Sequence, residues 1–308
     1  MRRELQYRES VSSPAPASRA TDTLFTLPDP LAQNLEGFAA AFSSWFLYRP
    51  ARALLDAGEG VASRLGNRVY VPEVVFLTHA HFDHISGLTG FLLSRTSARG
   101  DAEKPLTIYY PRAAAQGFRT LQDHTEAIVR RQTYPLVWKT VDAGERIPVR
   151  HWTAVPFETR HSIPSLGYRF VSSRRRLKAE YRARSPAEIV SFKQRQVEVD
   201  EPYEHTLLAI TGDTGPGLDP ALFRGADVVL HDATFLNPDD REGLDHSTAE
   251  EALAFARAAE IKTLVLYHIS QRYWRRDITR LVPVLRQKTG YAGRVVVVAG
   301  FTHPGGFY

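Results

Sequence analysis

The 308-residue chain contains no cysteine. That excludes disulfide staples, a thiolate nucleophile, and any zinc or iron–sulfur site held by sulfur. A metal ion here would have to be held by His, Asp or Glu. Long apolar runs are missing too. The longest, around Val295–Val298, is the size of a strand, far short of the roughly 20 residues needed to span a bilayer. The first residues are basic at Arg2 and Arg3 but have no apolar stretch behind them, so no secretory signal is expected. Glu4, Glu9 and Asp22 argue against a transit peptide, and a cytoplasmic location is expected. Charge of one sign is not strongly in excess: 39 Lys+Arg face 34 Asp+Glu, a formal net charge of +5. An anionic partner is compatible with that mild bias. With 43% apolar and 24% charged residues, the chain can bury a large core.

Residues 1–27 are polar and broken by Pro14 and Pro16, which predicts a loosely ordered extension before a single domain over 28–308. Short apolar runs then alternate with helical stretches. Strands are expected at Ala39–Tyr48, Arg52–Leu55, Val74–Leu77, Leu106–Tyr110, Val137–Val141, Val149–Glu158, Gly167–Val171, Leu207–Ile210, Val228–Leu230, Thr263–Leu266 and Arg294–Val298. Helices are expected at Gly87–Leu93, Ala113–Arg130, Pro186–Gln196, Thr248–Ala259 and Tyr273–Gln287. The run from Ser247 to Glu251 offers a capping box as Ser247 with Glu250 or Thr248 with Glu251. The mixture suggests a layered α/β protein built on two packed sheets. A short basic arm is expected around 172–205, with Arg174, Arg175, Arg176, Lys178, Arg182 and Arg184 set against Glu180 in its first part.

The most informative string is Val74-Val75-Phe76-Leu77-Thr78-His79-Ala80-His81-Phe82-Asp83-His84. An apolar strand ends, and three histidines and an aspartate follow within six residues. In an extended segment His79 and His81 point the same way and can hold one ion. Asp83 and His84 come after the chain has had room to turn and can face a second. Imidazole and carboxylate are the ligands expected for a divalent ion at a cysteine-free site.

His-x-His-x-Asp-His after a strand resembles the signature of the metallo-β-lactamase superfamily. The resemblance implies a four-layer αββα sandwich with metals at one edge. Later segments fit the same pattern: Arg160-His161-Ser162, Thr211-Gly212-Asp213-Thr214 and Tyr267-His268-Ile269-Ser270. Their neighbours, including Asp232-Ala233-Thr234-Phe235, Asp245-His246-Ser247-Thr248, Leu55-Asp56-Ala57-Gly58 and Ser270-Gln271-Arg272-Tyr273, resemble the ribonuclease Z family of tRNA 3′-processing endonucleases. The likeness runs from about Leu35 to Phe301.

What the resemblance implies can be carried over residue by residue. His79, His81 and His161 would bind one zinc. Asp83, His84 and His268 would bind another, and Asp213 would bridge both. Manganese is the other metal to expect. Asp83 would also orient or deprotonate the attacking water. His246 would serve the leaving alkoxide as general acid, with Asp232 as its carboxylate partner, a position where the family commonly has Glu. Arg174, Arg175, Arg176 and Lys178 in the arm, and Arg272, Arg275 and Arg276 after His268, would contact phosphates of precursor tRNA. The arm lacks a Gly- and Pro-rich tip, which implies the short form. A homodimer is implied by the family alone, and no membrane is. A second expectation is a hydrolase of a small phosphodiester, such as a cyclic nucleotide, because the same metal core supports both. A non-catalytic binding subunit is disfavoured, since all seven ligand positions are filled. His124, His151, His205, His231 and His303 have no motif around them and are expected to be surface or core histidines.

Overall fold

The computed structural model describes residues 24–301 apart from 26, 29, 41, 98–103, 130–132 and 242. In chain order the elements are α1 (Leu31–Asn34), β1 (Leu35–Ala40), β2 (Ser43–Tyr48), β3 (Ala53–Leu55), α2 (Val61–Leu65), β4 (Val74–Phe76), α3 (Phe82–Ile85), α4 (Leu88–Ser97), β5 (Leu106–Pro111), α5 (Ala115–Ile128), β6 (Leu136–Val141), β7 (Ile147–Val149) and β8 (Trp152–Glu158). There follow β9 (Leu166–Leu177), α6 (Pro186–Gln194), β10 (Asp200–Ile210), β11 (Val228–Asp232), α7 (Ala249–Ala258), β12 (Thr263–Tyr267), α8 (Arg275–Thr289), β13 (Arg294–Val297) and β14 (Gly300–Phe301).

The strands form two seven-stranded sheets, ordered β14-β1-β2-β3-β4-β5-β6 and β13-β12-β11-β10-β9-β8-β7. Successive side chains on a strand face opposite ways, and the sequence uses both faces. Phe46, Leu55, Phe76, Leu208, Leu230, Val265 and Val296 point between the sheets. Their neighbours Trp45, Leu47, Leu54, Val75 and Leu77 face α2, α4 and α5. On the second sheet Ala209, Val229, Leu264, Leu266, Val295 and Val297 face α7 and α8. Helix, sheet, sheet and helix therefore stack as four layers, the αββα sandwich the motif implied. Strands apolar on both faces are what such burial requires.

The sheet order decides where the site lies. β3 to β6 run parallel to one another, as do β10 to β13. Loops leaving the C-terminal ends of β4, β10, β11 and β12 therefore gather at one edge of the sandwich. The two sheets are pinned together there: Tyr168 Oη donates to the Leu77 carbonyl at 2.8 Å, and Leu166 N–H to that of Thr78 at 2.9 Å.

Two expected strands each run across a turn, from the end of one strand through the whole of the next. Ala39–Tyr48 takes in the last two residues of β1 and all of β2, which form a hairpin with Ala40 opposite Ser43. Val149–Glu158 is split by a turn at Arg150, whose φ is +55°, into β7 and β8 with Val149 opposite Trp152. The ladder of β9 with β10 is much longer than its apolar half, running from Tyr168 opposite Ile210 to Leu177 opposite Asp200. Its polar half, with α6, forms the arm. The capping box of α7 uses Thr248 and Glu251, while Ser247 Oγ donates instead to the Thr214 carbonyl. Most of the expected extension at 1–27 lies outside the described residues, as does His303. Within it, Phe25 and Leu27 are buried against the core rather than loose. No helix among the described residues is long and apolar enough to cross a membrane.

Candidate metal centre

β4 ends at Phe76, and the backbone, extended at His81, turns at once into α3, which begins at Phe82. The turn is pressed against the loop after β3. Ala57 N–H donates to the His84 carbonyl at 2.7 Å, and Gly87 N–H to that of Ala57 at 2.8 Å. Glycine is required at this contact: a Cβ on Gly58 would sit 2.3 Å from the Asp83 carbonyl oxygen, and one on Gly87 2.1 Å from that of Gly58. Two residues of the edge, Asp56 and His268, hold left-handed backbone at φ +55° and +61°, strain of the kind that collects at functional sites.

Three groups of potential ligands result among the described residues, one of them Asp232, His246 and His268; the other two hold the expected ligands. His79, His81, His161 and Asp213 form one, and Asp83, His84, Asp213 and His268 the other, the donor atoms of each lying within 4.8 Å of one another. In the first, His81 Nδ1 lies 3.1 Å from His79 Nε2 and 2.9 Å from His161 Nε2. In the second, His84 Nε2 lies 3.2 Å from both Asp83 Oδ2 and Asp213 Oδ1, and His268 Nε2 is 3.1 Å from Asp83 Oδ2. All seven sequence-predicted ligands are thus brought together.

The residues behind them fix which nitrogen carries the proton. His84 Nδ1 donates to Asp56 Oδ2 at 2.7 Å. Thr78 Oγ1 donates to that same oxygen and so accepts from His79 Nδ1 at 2.9 Å. Thr234 Oγ1 donates to Asp232 Oδ1 and accepts from His268 Nδ1 at 2.9 Å. His161 Nδ1 donates to the Asp245 carbonyl at 3.0 Å. When neutral, each of these four rings therefore turns a bare Nε2 lone pair inward. Lone pairs converging at about 3 Å repel unless a cation or a proton lies between them. His84 Nε2 and Asp213 Oδ1 are moreover buried without a hydrogen-bond partner. This donor set fits divalent ions, and sequence reading had not singled out Asp56, Thr78 or Thr234 as its support. Asp56 stood only inside the quoted Leu55–Gly58 stretch; its place directly after a strand was the available signal.

Electrostatics point the same way. Burial lowers His79, keeping its imidazole neutral. Burial alone would raise Asp83, but His268 and His84 beside it hold its carboxyl well below the ordinary range. Burial would likewise raise Asp213, and His268 and His84 outweigh it. Burial would lower His84, but Asp213 and Asp56 drive it well up. The buried carboxylates thus demand positive charge, which a cation supplies as well as a proton.

His246, just ahead of α7, stacks on His268 with ring centroids 5.3 Å apart. Its Nδ1 lies 2.9 Å from Asp232 Oδ2, the partner expected for it. Burial lowers its pKa, but Asp232 more than compensates and lifts it to about 9. Asp232 is wholly buried and also accepts from Thr214 N–H and Thr234 N–H.

The basic clusters fall in two places. Arg272, Arg275 and Arg276 follow His268. Arg272 donates to the Asp240 carbonyl at 2.9 Å, and the guanidinium groups lie over Phe235, Phe25 and Trp274 respectively. Arg174, Arg175, Arg176 and Lys178 are not brought to the centre. Arg174 is eight residues along the ladder from Leu166, about 26 Å at 3.3 Å per residue. Arg175 and Arg176 are paired there with Glu198 and Glu201 at 2.7 and 2.8 Å, and Arg174 lies 3.7 Å from Asp227. Among the histidines without a motif, His231 is buried and donates to the Asp232 carbonyl, His205 faces Asp227, and His124 and His151 are exposed.

Residues 51–178 match the family model described as "Beta-lactamase superfamily domain". Ribonuclease Z of Bacillus licheniformis is 32% identical over 255 residues, covering 74% of this chain and 81% of that protein. Ribonuclease Z of Thermococcus gammatolerans is 31% identical, covering 79% and 82%. Among solved structures, the metallo-β-lactamase fold protein YhfI of Bacillus subtilis superposes with a TM-score of 0.61 at 17% identity, over 89% of this chain and 98% of that one. The short form of human tRNase Z gives 0.56 at 22% identity, over 77% and 92%. These two carry the fold.

Proposed function

This chain belongs to the ribonuclease Z family, and on that premise we propose that it is a metal-dependent endoribonuclease that removes 3′ trailers from precursor tRNA. The observation supporting this most strongly is the pair of ligand groups sharing Asp213, with four imidazoles oriented from behind so that their lone pairs converge. His79, His81, His161 and Asp213 would hold one divalent ion, and Asp83, His84, Asp213 and His268 a second. Zinc suits these N/O donors, with manganese as the other choice. Bound there, the ions supply Lewis acidity and lower the pKa of coordinated water.

The chain's own residues would do the rest. Asp83 would orient the attacking water and accept its proton. As the phosphodiester breaks, the leaving alkoxide needs a proton, and His246 would give it. With Nδ1 committed to Asp232, Nε2 is the atom left to do so. Arg272, Arg275 and Arg276 would contact phosphates near the cut, while Arg174, Arg175, Arg176 and Lys178 would meet RNA farther away. Such contacts make affinity fall steeply with salt.

The test is cleavage of a 3′-extended precursor tRNA by zinc- or manganese-loaded protein. An Asp83→Ala control and a bis-aryl phosphodiester would be run in parallel. Cleavage near the end of the acceptor stem that vanishes in the variant is expected. Hydrolysis of the small ester with intact precursor would overturn the RNA reading and leave the metal core standing.

A further inference from the structure

Phe82 is the most exposed large apolar side chain among the described residues, at 77%. Its chain neighbours are His81 and Asp83, one from each ligand group. Successive Cα atoms are 3.8 Å apart, so its ring is rooted at the seam between the two groups. The one-turn helix α3 explains why the ring faces out. Its third residue, His84, is buried against Asp213 and Asp56. Its fourth, Ile85, packs into the layer beneath α4. Phe82 opens the turn and faces neither. A single exposed apolar residue needs no explanation on an ordinary surface. Here, however, the residues on either side of it in the chain are ionisable and belong to two groups that share Asp213, so a phosphodiester held between those groups would lie close to the ring.

We propose that Phe82 is a stacking platform for the unpaired base of a nucleotide next to the scissile phosphate; this rests on the RNA reading above. Phenylalanine has no hydrogen-bonding group with which to distinguish bases, whereas every base has a π-face to lay on it. The platform would fix where the strand enters without selecting its sequence. That is the behaviour a trimming nuclease needs when trailers differ. Phe82 would thus act as a positioning residue through the flanking nucleotide, leaving the reacting atoms to the groups on either side of it.

The experiment uses the full metal-loaded chain and three 3′-extended precursors. One is unmodified, and two carry an abasic nucleotide, on the 5′ or the 3′ side of the cut. KM and kcat are measured for wild type, Phe82→Ala, Phe82→Leu and Phe82→Trp. Loss of one stacked base should raise KM roughly 5- to 150-fold. Phe82→Ala and Phe82→Leu should show this rise, and Phe82→Trp should keep the wild-type value. At one of the two positions the abasic nucleotide should raise KM for wild type and add nothing further for Phe82→Ala. With 2-aminopurine at that position, binding to wild type should quench its fluorescence and binding to Phe82→Ala should not. Unchanged KM in the two non-aromatic variants, or fully additive losses at both positions, would overturn the platform while leaving the nuclease intact. A wild-type protein that does not cut the unmodified precursor would overturn both.

Discussion

Asp56→Asn changes one oxygen to nitrogen behind the centre, and its consequence can be worked from the contacts. The carboxylate accepts three hydrogen bonds: from Thr78 N at 2.7 Å, Thr78 Oγ1 at 3.0 Å and His84 Nδ1 at 2.7 Å. It is buried, with nothing to donate. Asparagine offers one acceptor oxygen and an NH2 that must face a donor. If the NH2 meets Thr78 N–H, a buried backbone donor is orphaned, costing about 1–3 kcal/mol. If it meets His84, the imidazole must shift its proton to Nε2, where it blocks the lone pair aimed at Asp213. Loss of such a supporting partner typically weakens metal binding about 10–100-fold, or roughly 1.4–2.8 kcal/mol. Competition against a chromogenic chelator measures this for zinc or manganese, with thermal melts of the metal-free protein reporting the stability cost. Asp56→Asn that binds metal within about twofold of wild type would refute the orientation argument.

Phe76→Ala empties a fully buried site between the sheets, where the ring stacks on Tyr109 at 5.1 Å and meets Tyr168 at 4.8 Å. It should cost about 3–5 kcal/mol in a denaturant melt. Thr248→Ala removes the α7 capping box and should cost about 1 kcal/mol by the same measurement. Burial alone would raise the Glu36 carboxyl, but Arg68 and Arg49 outweigh it and hold it below its ordinary value of 4.5. The stabilisation from Glu36 is therefore complete above about pH 4.5 and is lost as pH falls through the lower folded value. Melting temperature measured against pH should fall less steeply below pH 4.5 in Glu36→Gln, which should lose about 1 kcal/mol at pH 7. His246→Ala should lower kcat on precursor tRNA roughly 10²–10⁴-fold with metal content unchanged; full turnover would exclude it as the proton donor.

Much of the centre was legible because its first part is local. His79, His81, Asp83 and His84 sit in one strand-to-helix turn, where spacing alone gives two ligand directions. His161, Asp213 and His268 lie on separate loops and carried no spacing signal; only the family resemblance linked them to the turn. Asp56, Thr78 and Thr234 were passed over because their role is created by packing. Asp56 becomes a partner of His84 only when β3 pairs with β4 and two glycines let the loops touch. Strand boundaries failed for related reasons. The turns at Phe42 and Arg150 interrupt apolar patterning without glycine or proline, so each hairpin read as one strand. The polar halves of β9 and β10 pair with each other beyond the core, where alternation of apolar residues has nothing to report. Arg175 and Arg176 were expected to meet phosphates, but Glu198, just ahead of β10, and Glu201, within it, become their partners only once β9 and β10 pair.

The most direct test of the centre is its metal content. Protein dialysed against excess zinc or manganese, freed of unbound ion and analysed for metal per chain, should carry two ions. His161→Ala and His268→Ala, which each remove a ligand from a different group, should each carry one held tightly. Wild-type protein that is folded yet binds no ion, or both variants keeping two at wild-type affinity, would contradict the assignment of these residues to a two-ion site.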